Sequence, residues 1–332
     1  MQSAQSASIR AITYCALTLL VLFLAGRAIT AWSRMAAAEA RDAAARARVK
    51  NNLAQVQKAI ENYNAGAEAS RSEPLRIVTW NVESGGNDPA EIAQQLVELG
   101  RYDIYALQEV HPRNSQRYAD AIRDDISKSF RFLLSNTGRS DRLMIIFDSD
   151  RLELQAVSEL FHHEEHRLND WRHRSPLVAE FVDSAADVHF SFVTVHLARG
   201  NADLRTEQAT GLREWAKDQQ RPVIAAGDFN FDYHFPTSKG NPAFDCFCEG
   251  GVCKWLKPDE LIDTNWSDSD GDGADNYSDS MLDFAFAAGE ARAWKAECRV
   301  VVRSGDFPDD DRSSDHRPVA VSFTPNRIEA HD

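Results

Sequence analysis

The chain has 332 residues, 43% of them hydrophobic, and a net charge of −14 from 51 acidic and 37 basic side chains. That length holds one large domain with extensions, or two domains, and the apolar share is enough for a sizeable core. The acidic balance excludes long-range steering of a polyanion, so a phosphate ester would have to be met by local basic groups or a metal ion.

Residues 1–32 start polar and turn apolar from Ala11 to Gly26, with Arg27 interrupting before Trp32. The run is short for a spanning helix, which needs about 20 residues, but Arg27 snorkelling beside Trp32 lengthens it. The readings are an uncleaved membrane anchor, a cleaved signal segment and a buried helix; no small-x-small cleavage site follows, which favours the anchor. Arg27, Arg34, Arg41 and Arg46 pull the following domain toward the cytoplasm, whereas the cysteines and an acidic loop farther on favour an extracytoplasmic location, periplasmic or extracellular, which is the expectation adopted.

Residues 33–73 are rich in Ala, Arg, Glu and Gln and read as a helical stalk. Val49, Leu53, Val56, Ile60 and Tyr63 trace a heptad seam over two heptads. This is either a solvated or packed helix or an element of weak self-association. Residues 74–326 then alternate strands and helices, and 327–332 form a tail. Strands are predicted over 75–82, 103–107, 130–134, 142–147, 151–160, 177–182, 189–195, 221–225, 281–286, 293–302 and 318–323. Helices are predicted over 88–100, with Asp88 as cap and Pro89 at its first position, 114–129 and 202–218. This texture predicts a layered α/β sandwich.

The strand 221–225 leads into Gly227-Asp228-Phe229-Asn230. Period-two geometry puts Asp228 and Asn230 on one side and Phe229 on the other. Alone, this is also a turn signal. Other strand ends are polar too: Asn81, Gln108-Glu109, His196, Asp283 and Ser314-Asp315-His316. If they converge, they form a pocket of carboxylates, amides and imidazoles. Such oxygens suit Mg²⁺ or Mn²⁺, and imidazoles suit proton transfer near neutral pH. No Lys or Ser nucleophile motif stands out, so water is the expected nucleophile.

In this order, Trp80-Asn81, Gln108-Glu109-Val110, His196, Gly227-Asp228-Phe229-Asn230, Asp283 and Ser314-Asp315-His316 resemble the motif set of the endonuclease/exonuclease/phosphatase superfamily, from residue 75 to about residue 324. The resemblance implies a four-layer, DNase I-like sandwich of two β-sheets flanked by helices. Arg174-Ser175-Pro176 and Trp255-Leu256-Lys257-Pro258-Asp259, followed by Asp263-Thr264, resemble the DNase I branch, which implies a nuclease acting on DNA. On that likeness Glu109 binds the catalytic Mg²⁺, with Asn81 and Asp315 close to it. Asp283 fixes His316, and the pair acts on the phosphate or the attacking water. His196, held by Asp141, faces the leaving oxygen; Asp228 and Asn230 orient water and phosphate; Arg174 meets the substrate phosphate. A phospholipid or a small phosphate ester is the alternative within the superfamily, and a non-catalytic membrane-tethered scaffold the alternative outside it.

Asp268-Ser269-Asp270-Gly271-Asp272-Gly273 has the acid spacing of an EF-hand loop, with Asp279 at position 12, but lacks convincing flanking helices. It reads as a structural Ca²⁺ site at Asp268, Asp270 and Asp272, or as a solvated acidic loop. Cys246, Cys248, Cys253 and Cys298 read as two disulfides, with free thiols as the alternative. His162, His163 and His166 lie beside Glu164 and Glu165, in a solvated loop or an accessory metal site. Arg205 and Gln208 are expected on the helix surface at the rim of the pocket.

Overall fold

Residues 75–81 alternate between two cores. In the computed structural model, which describes residue 58 and residues 73–169, 173–306 and 312–325, Leu75 and Ile77 of the first strand pack toward a second sheet. Val78 and Trp80 pack toward helices on the other side. Burial on both faces favours apolar residues on each, here Leu75, Ile77, Val78 and Trp80, with Arg76 the one exposed position.

The elements in chain order are β1 (Leu75–Asn81), α1 (Pro89–Glu98), β2 (Ile104–Val110), α2 (Ser115–Asp125), β3 (Phe130–Leu134) and β4 (Arg142–Asp148). Next come β5 (Leu152–Glu159), β6 (His162–His163), β7 (His166–Arg167), β8 (Leu177–Asp183), β9 (Val188–His196) and α3 (Ala202–Asp218). The chain continues with β10 (Val223–His234), α4 (Pro242–Cys248), β11 (Cys253–Trp255), β12 (Ser280–Ala288), β13 (Lys295–Val300) and β14 (Val319–Thr324). One six-stranded sheet has the order β13-β14-β1-β2-β4-β3 and the other β11-β12-β10-β9-β8-β5. The central core lies between them, α1 and α2 cover the first sheet, and α3 and α4 cover the second. This is the four-layer sandwich expected from the motifs.

Each sheet has one parallel pair near its centre, β1 with β2 and β9 with β10. Gln108, fully buried, joins the sheets: its amide donates to Thr79 Oγ1 (3.0 Å) and, across the core, to Thr194 Oγ1 (2.9 Å). Gly227 lets β10 approach β9, because a Cβ there would sit 2.2 Å from the Val195 carbonyl oxygen.

Three expectations change. The strand expected to end at residue 225 runs to His234, with a bulge between Asp228 and Tyr233. The disulfides are absent: Cys246, Cys248, Cys253 and Cys298 are free. Cys298 packs in the core between the sheets, whereas Cys253 packs on the α3/α4 side of the second sheet, and burial pushes both thiols up to about 12. The His162–His166 stretch is a hairpin rather than a loop. The anchor expected over 1–32, the stalk over 33–73 and the tail over 327–332 fall outside the described residues, Lys58 and Glu73 apart. Among the described residues no helix is long and apolar enough to cross a membrane.

Candidate active site

The two parallel pairs place their C-terminal ends at one end of the sandwich. In the second sheet His196 on β9 is registered with Asp228 on β10, and Asp228 with Asp283 on β12. Neighbouring strands lie about 5 Å apart, so three chemically active side chains stand in one row. In the first sheet Asn81 on β1 is registered with Gln108 on β2, and Glu109 follows. Both sheets are irregular at these points. Glu109 and Asn230 take left-handed φ values of 55° and 53°, each within a bulge. A bulge re-aims side chains that strict alternation would direct elsewhere, and a non-glycine residue held there costs about 1–3 kcal/mol.

The side chains interlock. Asn81 Nδ2 donates to Glu109 Oε1 (3.1 Å) and Asp228 Oδ2 (3.2 Å), joining the acids of the two sheets. His196 Nε2 lies 3.3 Å from Asp228 Oδ2 and its Nδ1 3.7 Å from Glu109 Oε1. Asp283 Oδ2 lies 2.8 Å from His316 Nδ1. His316 Nε2 lies 4.0 Å from Asp228 Oδ2 and 3.9 Å from Asp315 Oδ1. Asn230 is tied inward, its Nδ2 donating to the Leu197 carbonyl (3.0 Å) and its backbone N–H to Asp228 Oδ1 (3.0 Å).

The two imidazoles are driven apart. Burial lowers the pKa of His196 well below its usual value, helped by the positive charges of Arg174 and His316. Burial pulls His316 the same way, but Asp283 and Asp315 outweigh it and hold its pKa well above normal. Burial and the nearby Asp283 push Asp228 up to about 7. Burial and Asp141 raise Glu109. Two imidazoles with pKa values displaced in opposite directions face the same carboxylate, the arrangement that separates acid and base roles.

Two expected roles shift. Asp141 pairs with Arg174, Nη1 to Oδ2 at 2.6 Å, rather than with His196, although the donor atoms of Glu109, Asp141 and His196 all lie within 4.8 Å of one another. Arg174 is buried; its Nε donates to the His196 carbonyl (3.2 Å), so it braces the end of β9. Arg205 and Gln208, expected on the surface, are buried as well. Arg205 Nη1 donates to the carbonyls of Ala198 and Arg199 (2.8 Å each), and Gln208 Oε1 accepts from Ala198 N–H (2.9 Å). They hold the segment that follows His196.

Glu83 had no sequence signal, and Ser314 and Thr264 lay in recognised motifs without a role of their own. Glu83 accepts from the Asp315 N–H through Oε2 (3.1 Å) and donates its own N–H to Asn81 Oδ1 (3.0 Å). Ser314 Oγ donates to the Asn81 carbonyl (2.6 Å) and accepts from the His316 N–H (3.0 Å). Together they staple the 314–316 turn to the end of β1. Thr264 Oγ1 accepts from the backbone of Leu282 and Asp283. A side-chain–backbone tie across more than 200 residues leaves no local pattern to read.

The sequence profile of the Endonuclease/Exonuclease/phosphatase family matches residues 78–316, well over half of the chain. The chain belongs to the endonuclease/exonuclease/phosphatase family. Among solved structures it is similar to a family protein from Bacteroides thetaiotaomicron, at 19% identity and a TM-score of 0.58 over 76% of this chain and 98% of that one. It is also similar to the mannosyl-6-phosphatase of the same organism, at 17% identity and 0.56 over 75% and 99%. D. rerio TDP2 complexed with a single-strand DNA product gives 18% and 0.58 over 76% and 99%. At these identities the likeness concerns the fold. No curated protein matches.

Enzymes of this family generally use divalent metals, and the residues here fit one. Asp141 Oδ1, Asp283 Oδ1 and His196 Nδ1 are buried polar atoms with no hydrogen-bond partner. Raised carboxyl pKa values mark an excess of buried negative charge that a hard cation would relieve. Glu109 and the half-buried Asp315 are suitable oxygen ligands. Asn81 Oδ1 accepts from the Glu83 N–H, and its NH₂ faces the two carboxylates. At the acidic loop, donor oxygens of Asp268, Asp270 and Asp272 lie within 4.8 Å of one another. Asp268 also accepts three backbone N–H groups, and Asp279 stands outside the cluster.

Proposed function

We propose that the chain is a metal-dependent phosphoesterase that hydrolyses phosphodiesters, with DNA as the first substrate to test. The observation that carries this reading is the convergence of the half-buried Glu109 and the buried Asp228 and Asp283 on two imidazoles, His196 and His316, at one end of the sandwich. Glu109 and Asp315 would hold Mg²⁺ or Mn²⁺, which supplies charge neutralisation at the phosphate. Asp283 keeps the proton on His316 Nδ1 and leaves Nε2–H to donate to a phosphate oxygen. Asp228 and His196, whose pKa burial lowers, can take a proton from water. Asn81 keeps the carboxylates of Glu109 and Asp228 in register.

A small phosphate ester is the second reading. The Arg199 guanidinium is paired with Asp232 and lies over Tyr277, which follows the acidic 268–275 loop, so that rim offers a long polyanion little free positive charge. Structural Ca²⁺ at Asp268, Asp270 and Asp272, anchorage through residues 1–32, stalk self-association and an extracytoplasmic location belong to the same proposal. Calcium titration, sedimentation and protease access in fractionated cells test them. Hydrolysis of plasmid DNA, single-stranded DNA, RNA, sphingomyelin and sugar phosphates, each with Mg²⁺ or EDTA, tests the substrate class. Failure on DNA with turnover of a sugar phosphate overturns the nuclease reading and retains the phosphoesterase.

A further inference from the structure

The β6–β7 hairpin and the end of α3, ten residues along that helix from Gln208, form a second cluster. His163 is registered with His166, so Glu164 and Glu165 make a two-residue turn. Glu164 takes a left-handed φ of 51° there, where Gly, Asn or Asp are the ordinary choices. Asp218 is the last residue of α3, where a negative charge opposes the helix dipole. The hydrogen bond of the neighbouring Lys217 goes to Glu214 Oε2 (3.0 Å) rather than to Asp218. Two local preferences are therefore broken at one spot, and both exceptions direct a carboxylate to the same imidazole. One ligand atom from each of His163, Glu164 and Asp218 lies within 4.8 Å of the other two. Coincident breaks of this kind are expected where a site is being built rather than where a surface is merely solvated.

We propose that His163, Glu164 and Asp218 form a Zn²⁺ site that pins the hairpin to α3. Zinc accepts one imidazole and two carboxylates, with water completing a tetrahedron. With bonds of about 2.0–2.1 Å, adjacent ligand atoms of a tetrahedral zinc lie about 3.3 Å apart. His163 Nε2 and Asp218 Oδ2 already lie 3.0 Å apart, so entry of the ion requires little movement of that pair. The cation removes the repulsion between Glu164 and Asp218 and reverses the sign of the charge at the C-terminus of α3. The Arg167–Glu207 ion pair (2.9 Å) holds the hairpin on α3 without the metal, so loss of the site does not unfold it. Through α3 the ion would steady Arg205 and Gln208, which hold the segment after His196.

Equilibrium dialysis of the full chain against micromolar Zn²⁺ in millimolar Mg²⁺ tests this. Bound zinc is counted for the parent, His163→Ala, Asp218→Asn and Glu109→Gln. The expected result is one zinc fewer per chain in His163→Ala and in Asp218→Asn, with that equivalent retained in Glu109→Gln. Equal zinc in the parent and in Asp218→Asn, an exposed position whose replacement leaves the fold intact, overturns the proposal. So does loss of the same equivalent in Glu109→Gln, which would assign the zinc to the catalytic cluster.

Discussion

The His316–Asp283 pair couples β12 to the turn before β14. The carboxylate is fully buried, and its Oδ2 lies 2.8 Å from His316 Nδ1. A hydrogen bond between charged groups contributes about 1.5–3 kcal/mol. His316→Ala leaves a buried carboxylate without its counterpart and is expected to cost about 3–5 kcal/mol. Asp283→Asn removes the charge but keeps an acceptor, and is expected to cost about 2 kcal/mol. In the double variant nothing is left to pair, so the costs should not add, and the coupling should be about 1.5–3 kcal/mol. The pH dependence has a definite sign. The folded pKa of His316 is raised above the unfolded value of about 6.5, so its contribution is complete below that pH and is lost as pH rises through the raised value. Urea unfolding of the four proteins in EDTA, at pH 6 and at alkaline pH, measures this. Additivity within about 0.5 kcal/mol at pH 6, or a coupling that grows with pH, would refute the reasoning.

Gly227→Ala should cost about 3 kcal/mol in urea unfolding, because its Cβ meets the Val195 backbone oxygen at 2.2 Å and a paired strand cannot retreat. Asp228, with its pKa pushed up to about 7, should make the EDTA-treated protein less stable as pH rises from about 4 through about 7. Thermal melts across that window should show the fall in the parent, its recovery with Mg²⁺, and a flatter profile in Asp228→Asn. Glu83→Gln keeps an acceptor for the Asp315 N–H and should leave kcat within a few-fold; Glu83→Ala loosens the 314–316 turn and should lower kcat about tenfold, with the His316 limb of the pH–rate profile shifted down.

The legible part of the fold was its rhythm. β1 reads as Leu-Arg-Ile-Val-Thr-Trp-Asn because both its faces are buried, and the long α3 has the expected bounds, Ala202–Asp218. The polar strand ends were legible too, since Asp228, Asp283 and His196 fall on adjacent strands in one registered row. What escaped depends on distance along the chain. Nothing near Arg174 announces that it will pair with Asp141 from 33 residues away and release that acid from His196. Glu83 acts on a turn more than 200 residues later. Arg205 looked like a surface residue because arginine usually is, yet two backbone carbonyls of the 197–199 segment draw it inward. The cysteines misled for a related reason: spacing suggests pairing, but Cys253 and Cys298 pack on different sides of the second sheet.

The central claim is that Glu109 and His316 serve metal-dependent cleavage of a phosphate ester. Its most direct test is the hydrolysis rate of the full chain on the substrate it turns over fastest, with Mg²⁺ and with EDTA, for the parent, Glu109→Gln and His316→Gln. The expected result is activity that EDTA abolishes, and a loss of about 10²–10⁴-fold in each variant. Undiminished turnover in EDTA, or in either folded variant, would contradict it.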